Sequence, residues 1–266
     1  ALLAGAKAQL MSERCALRPR SALSPGAMPM IGVAPWHLWR WLMAAPKRFA
    51  PQIPIMNLPL LRAHGTDKAK ICRMRLAMDA LSKLLSTRDW LMADGATGTN
   101  LFNMGLSSGE PPEFWNVEQP DNIRTLYRNA VNAGSDIFLT NTFGGNASRL
   151  KLHNAQGRVR ELNRIGASLG REIADASGRV VVVAGSVGPT GDIFVPMGTL
   201  THSAAVEMFH EQAEGLKEGG ADVLWVETMS SPDEYKAAAE AAALAGMPWC
   251  GTMSFDTAGR TMMGLT

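Results

Sequence analysis

Two carboxylates, Asp94 and Glu227, stand directly after short apolar runs, Trp90–Ala93 and Val223–Val226. An apolar run that gives way to polar and glycine residues reads as a buried strand opening into a loop. Acids at two such strand ends can share one mouth. There they could hold an ammonium group or a cation, act as acid and base, or simply cap helices and close salt bridges. Thr140-Asn141-Thr142 adds hydroxyl and amide groups after the run Ile137–Leu139. The stretches Gly95-Ala96-Thr97-Gly98-Thr99 and Gly188-Pro189-Thr190-Gly191 offer backbone N–H groups to an anion. Neither is a P-loop or a full GxGxxG, and glycine serves turn geometry there equally well. Trp115, Phe143 and Trp225 are rings that either stack on a quaternary ammonium group or pack in the core. His37, His64, His153, His202 and His210 show no metal-ligand spacing, and Cys250 lies within an apolar run with no base beside it.

The elements that position these residues repeat one plan. Five apolar runs begin near 91, 137, 180, 223 and 249; the first four end in the polar and glycine residues just named, and the last ends in Ser254-Phe255-Asp256. Helical patterns lie between them. One runs from Pro120 to Ala133 before Gly134. A long one covers 147–176 with a break near Gly157. A third is capped by Thr201 and buries Ala205, Phe209, Ala213 and Leu216. The last opens at Ser231-Pro232-Asp233-Glu234 and stops at Gly246. Alternating strands and helices require parallel pairing through helical crossovers, so the layout is an α/β barrel or a doubly wound sheet. Five units of about 40 residues predict a (β/α)8 TIM barrel of which residues 78–266 hold roughly the first five βα units.

Charge divides the chain. Residues 1–77 hold 12 Lys+Arg against 2 Asp+Glu, whereas residues 78–266 hold 14 against 22. The first part is expected to be an unstructured basic leader, whether a mis-started translation, a targeting segment or a functional arm. The second part is expected to be the domain, starting at Met78 and opening with an amphipathic helix over 78–85. Its acidic balance gives no reason to expect nucleic acid or a membrane surface as partner. Three cysteines without a paired spacing point to a reducing, cytoplasmic setting.

Taken in order, Asp94-Gly95-Ala96-Thr97-Gly98-Thr99, Leu139-Thr140-Asn141-Thr142-Phe143-Gly144, Ser186-Val187-Gly188-Pro189-Thr190-Gly191, Glu227-Thr228 and Met253-Ser254-Phe255-Asp256-Thr257-Ala258-Gly259-Arg260-Thr261 resemble the homocysteine S-methyltransferase family. The likeness is strongest to its bacterial betaine–homocysteine branch. It implies a barrel that moves a methyl group onto the sulfur of homocysteine, giving methionine. It also implies that Asp94, Gly95, Thr140 and Glu227 hold the amino-acid end of homocysteine, with Glu227 facing the ammonium. Phe143 and Trp115 are the residues it suggests for the methyl donor, betaine first, with S-methylmethionine or a corrinoid-bound methyl as alternatives. Vertebrate betaine enzymes carry an aromatic after each of the residues matched by Phe143 and Glu227; Gly144 and Thr228 stand there in this chain.

The family activates the thiol with Zn²⁺ held by three cysteine thiolates, from an Asn-Cys pair and a Gly-Gly-Cys-Cys-Gly stretch. Neither motif occurs in these 266 residues. Zn is therefore expected from the resemblance, with its ligands beyond Thr266, and the chain alone is expected to be inactive. A different barrel enzyme using Asp94 and Glu227 as acid and base, or a non-catalytic homocysteine-binding chain, are the competing expectations. An open arc of strands would also invite self-association, so a homo-oligomer is expected.

Overall fold

The structure, a computed structural model, describes residues 79–266; the leader and Met78 lie outside the described residues. Four strands form one parallel sheet: β1 (Ile137–Leu139), β2 (Val182–Val187), β3 (Val223–Met229) and β4 (Trp249–Met253). Their order is β1-β2-β3-β4, so each new strand joins the same edge. A doubly wound sheet reverses direction at a switch point. This sheet does not, and it is the arc of a barrel.

The first expected strand is shorter than its sequence suggests. Leu91–Asp94 lies alongside β1, with Ile137 N donating to Met92 O at 3.0 Å and Asp94 N to Ile137 O at 3.0 Å. Only one bridge, Ala93 to Ile137, results. Gly95 and the helix that begins at Thr97 turn the chain away before a longer ladder can form. Conversely, β2 runs on to Val187, through Ala184-Gly185-Ser186, which the sequence suggests is loop. Small residues are tolerated there because the Leu216 side chain fills the space: a Cβ on Gly185 would stand 2.9 Å from it.

The helices behave as their signals require. α1 (Ala80–Thr87) starts at Asp79, whose carboxylate accepts from Ser82 N at 2.8 Å. After α2 (Thr97–Asn103), the 3-10 turn Pro112–Phe114 and α3 (Trp115–Glu118) comes α4 (Pro120–Asn132). The long helical pattern is broken as expected, into α5 (Ala147–Lys151) and α6 (Val159–Ala176). Thr201 caps α7 (His202–Glu218), and α8 (Pro232–Ala245) ends at Gly246 in the left-handed conformation, φ 65°.

Side chains alternate across the sheet and make two unlike faces. Phe138, Val183, Leu224 and Val226 point outward and pack under α4, α6, α7 and α8. Ile137, Val182, Ala184 and Val223 point inward, where Leu84 of α1 and Leu91 close the N-terminal end. Further along the inner face the residues become polar, at Ser186 and Glu227. That polar end is where the candidate site lies.

Candidate functional site

A cavity of about 500 Å³ opens at the C-terminal ends of the strands. Gly95, Thr140, Phe143 and Glu227 border it, as do Ser186, Glu113, Arg149 and His153. Its size falls within the range of small-molecule sites.

Glu227 continues the inward alternation of Val223 and Trp225, and an irregularity in the strand pairing falls at this point. β3 and β4 pair in register up to Val226↔Gly251, then shift so that Met229 faces Met253. One extra residue is therefore accommodated on β3, as in a bulge. Thr228 takes up the distortion at φ 62°, a conformation that a β-branched side chain adopts only under strain. The Glu227 carboxylate is then fixed by Ser186, whose hydroxyl donates to Oε1 at 2.5 Å. No lysine, arginine or histidine pairs with it among the described residues. Burial pushes its carboxyl above the usual range, and the Ser186 hydroxyl only partly offsets this.

Asp94 lies just behind the cavity wall and does not border it. Its Oδ2 accepts from Leu139 N at 3.1 Å, tying the first segment to β1. Burial pushes this carboxyl up to about 7, and the charge of Glu227 pushes the same way. Two acids without a cation thus share one strand-end region, and each resists ionisation. A bound cation would relieve both.

Thr140 is committed to the scaffold. The Thr142 hydroxyl donates to Ser186 O at 2.8 Å, so its single hydrogen is used. In the 2.7 Å contact between the two hydroxyls, Thr140 must therefore donate to Thr142. Thr140 Oγ1 also accepts from Ser186 N at 3.1 Å, leaving one lone pair for a ligand. Asn141, Thr142 and Gly145 are pinned likewise, by Tyr127, Asn116, Gln212 and Asn163. The whole loop after β1 is held rigid by buried polar side chains.

Two aromatic expectations separate. Phe143 borders the cavity, and its ring covers Gly188, where a Cβ would stand 2.6 Å from it. Trp115 is 6% exposed and packs in the core beneath α4, its indole N–H donating to Glu110 at 2.9 Å. It does not reach the cavity, because α3 carries its ring toward Leu101 and Ile123. Trp225 faces the inner core.

The glycine loop at 188–191 binds an anion, but it is the protein's own. Glu234 Oε1 accepts from Thr190 N at 2.7 Å and from the Thr190 hydroxyl at 2.6 Å. Sequence reading missed Glu113 and Arg149, which lie on a 3-10 turn and a short helix outside every motif, and gave no role to Ser186, although Ser186 opens one of the quoted motifs. Only the distance in chain between Glu113 and the Phe143-Gly144 pair hid their contact: Gly144 N donates to Glu113 Oε1 at 2.6 Å.

Among the described residues no three His, Cys, Asp or Glu come together as a metal site. Cys250 stands alone on the inner face of β4, and burial pushes its thiol up to about 12. A zinc ligand requires a thiolate, so these residues do not fit the three-thiolate centre that the resemblance implies.

Parallel βα units in sequential order, with a small-molecule cavity at the strand ends and an unpaired acid, Glu227, on its border, define a barrel-type domain. Residues 91–266 match the sequence profile described as homocysteine S-methyltransferase, about two thirds of the chain, and the chain belongs to that family. It is similar to methionine synthase from Mycobacterium tuberculosis, 34% identical over 157 residues, and to that from Mycobacterium leprae, 32% identical over 157 residues. These alignments cover 56% of this chain but only 13% of either relative, so the chain spans a small part of their length. Among solved structures it resembles the homocysteine methyltransferase MmuM from Escherichia coli. The metallated form superposes with a TM-score of 0.60 at 24% identity over 70% of each chain. The oxidized form gives a TM-score of 0.56 at 25% identity over 67% of this chain and 66% of that one.

Proposed function

We propose that residues 78–266 bind homocysteine for methyl transfer to its sulfur, as part of a complete (β/α)8 barrel. The observation that carries this is the Glu227 carboxylate, on the inner face of its strand at the cavity border and held by Ser186, with no cationic partner among the described residues. An amino acid's ammonium is the complement of that group. Asp94 adds negative potential behind it, and Gly95 with the free lone pair of Thr140 offers contacts along the wall.

Homocysteine sulfur would then project toward the side of the cavity bordered by Phe143, where the methyl donor is received. Betaine is the donor this reading favours. Zinc belongs to the proposal through the family resemblance, with thiolates supplied from outside residues 79–266. The described residues furnish the substrate-binding part of the reaction, and without those thiolates no turnover is expected of them. A cytoplasmic setting, self-association, and the absence of nucleic acid or membrane from the partners complete the proposal. Among the described residues no helix is long and apolar enough to cross a membrane.

Calorimetric titration of the purified 266-residue chain tests the reading. L-homocysteine should bind, and 4-mercaptobutanoate, which lacks only the ammonium, should bind at least tenfold more weakly. Equal affinity for the two would remove Glu227 from its assigned role.

A further inference from the structure

Ser186 holds the Glu227 carboxylate, and Ser186 is itself held from outside the sheet. The buried face of α7 is apolar at Ala205, Phe209, Ala213 and Leu216 but is interrupted by Gln212, which is fully buried. α7 brings this side chain in by approaching α6 closely. A Cβ on Gly215, three residues further along the same face, would stand 2.8 Å from Arg160 O. Gln212 Nε2 then meets three acceptors: Thr142 O at 2.8 Å, Asn163 Oδ1 at 3.2 Å and Ser186 O at 3.4 Å.

The direction of this amide is dictated by its neighbours. Asn163 commits its own Nδ2 to Gly145 O and Val159 O, so its Oδ1 faces Gln212 as an acceptor. Turning Gln212 over would set an oxygen against three oxygens. In the orientation it keeps, its Oε1 has no hydrogen-bond partner among the described residues. An unmatched buried acceptor is unfavourable and uncommon in folded proteins. Methionine would fill nearly the same space without one. The glutamine therefore points to a task for its donor side, which joins the loop after β1 to the end of β2.

Two routes lead from Gln212 to Glu227. Ser186 O accepts from Gln212 directly, and the Ser186 hydroxyl donates to Glu227 Oε1. Thr142 O also accepts from Gln212, and the Thr142 hydroxyl donates to Ser186 O at 2.8 Å. Gln212 does not border the cavity, so it acts on a ligand only through these residues.

We propose that Gln212 is a positioning residue for ammonium recognition: from α7 it fixes Ser186, and through Ser186 the direction of the Glu227 carboxylate. This role rests on the homocysteine reading above and extends it to a residue outside the cavity. With Gln212 in place, one oxygen of Glu227 is taken by Ser186 and the other is left to the amino group of the substrate. Without it, Ser186 and the loop after β1 shift independently and the carboxylate loses its fixed direction.

The test is calorimetry on the full 266-residue chain with L-homocysteine and 4-mercaptobutanoate, which differ only in the ammonium. Gln212→Met keeps the volume and removes the donor. It should weaken homocysteine by about tenfold and leave 4-mercaptobutanoate within about twofold, so the preference narrows. In a Ser186→Ala background the same substitution should cause no further loss of preference. Equal weakening of both thiols, weakening of neither, or additive losses in the double variant would overturn the role. A second readout needs no ligand. Because the Ser186 hydroxyl lowers the Glu227 carboxyl, that carboxyl, followed by carbon-13 NMR, should titrate at higher pH in Gln212→Met than in wild type. An unchanged titration refutes the link whatever the substrate is. A wild-type chain that binds both thiols equally refutes the homocysteine reading, and the titration then decides the link alone. Should Gln212→Met not fold, the wild type decides: homocysteine, and not 4-mercaptobutanoate, should shift the Gln212 side-chain amide resonance. A resonance that treats the two thiols alike overturns the role.

Discussion

Four acids sit at strand ends in this protein, and the two at the bottom behave unlike the two at the top. Asp136, before β1, takes Arg88 Nη1 at 2.6 Å, Arg179 Nη1 at 3.5 Å and Met92 N at 3.1 Å. Asp222, before β3, takes Arg171 Nη1 at 2.9 Å and Val183 N at 2.8 Å. Each is a staple that ties one strand to the next and balances its charge with arginine. Asp94 and Glu227, toward the C-terminal ends of their strand segments, have a backbone or hydroxyl donor but no cationic partner among the described residues. The protein leaves charge uncompensated at one end of the sheet only. That asymmetry is the signature of a site, since an unpaired buried acid lowers stability and persists where a ligand completes it.

The comparison can be broken by mutation, and the largest effect is expected at Asp94. Its carboxyl is raised from 3.8 to about 7, so the folded state binds the proton more tightly than the unfolded chain. The stabilisation from that proton is full below pH 4 and is lost as pH rises through 7. At pH 8, Asp94→Asn should therefore raise stability by up to about 4 kcal/mol, the full value of a shift of this size. Thermal unfolding followed from pH 5 to pH 8 would show the variant gaining on the wild type as pH rises.

Glu227→Gln comes next. Losing one member of a desolvated charge pair costs roughly 2–5 kcal/mol in binding, so homocysteine affinity should fall by about 100-fold with the fold intact. Asp136→Asn should do the opposite. By removing the anion from two arginines, it is expected to cost about 2 kcal/mol of unfolding free energy and leave homocysteine binding within about twofold of wild type. Denaturant titration paired with calorimetry separates the two patterns. The smallest effect sits between them, at Thr228. Glycine there relieves the left-handed strain, so Thr228→Gly should stabilise by about 1 kcal/mol while loosening the bulge and weakening homocysteine binding a few-fold.

Much of this architecture was legible in local pattern. The helix starts at Thr201 and Pro232, the stop at Gly246 and the break near Gly157 follow from capping and turn chemistry, which act over four or five residues. The apolar runs located all the strands because parallel strands are buried on both faces. Their lengths were less legible. β2 continues through Ala184-Gly185-Ser186 because Leu216 of a distant helix covers them, and the first strand shrinks to a bridge because the chain turns at Gly95. Those outcomes depend on tertiary contacts.

The site divides in the same way. Glu227 and Phe143 could be placed from motif position alone. Trp115 could not, since whether a ring faces a cavity or the core depends on the rotation of a four-residue helix. Glu113 and Arg149 belong to no motif and become visible only when the fold brings them beside Gly144 and Gly191. The roles of Asp136 and Asp222 were likewise hidden, because their arginine partners lie about 50 residues away in sequence.

The central claim is that Glu227, with the uncompensated Asp94 behind it, receives the ammonium of an amino-acid substrate. Its most direct test is the proton balance of homocysteine binding, measured by calorimetry at pH 6.5 in two buffers of different ionisation enthalpy. Because Asp94 titrates near 7 and a bound ammonium favours the ionised carboxylates, binding should release a proton to the buffer, and affinity should rise from pH 6 to pH 8. Binding that exchanges no proton, with an affinity indifferent to Glu227→Gln, would contradict the account.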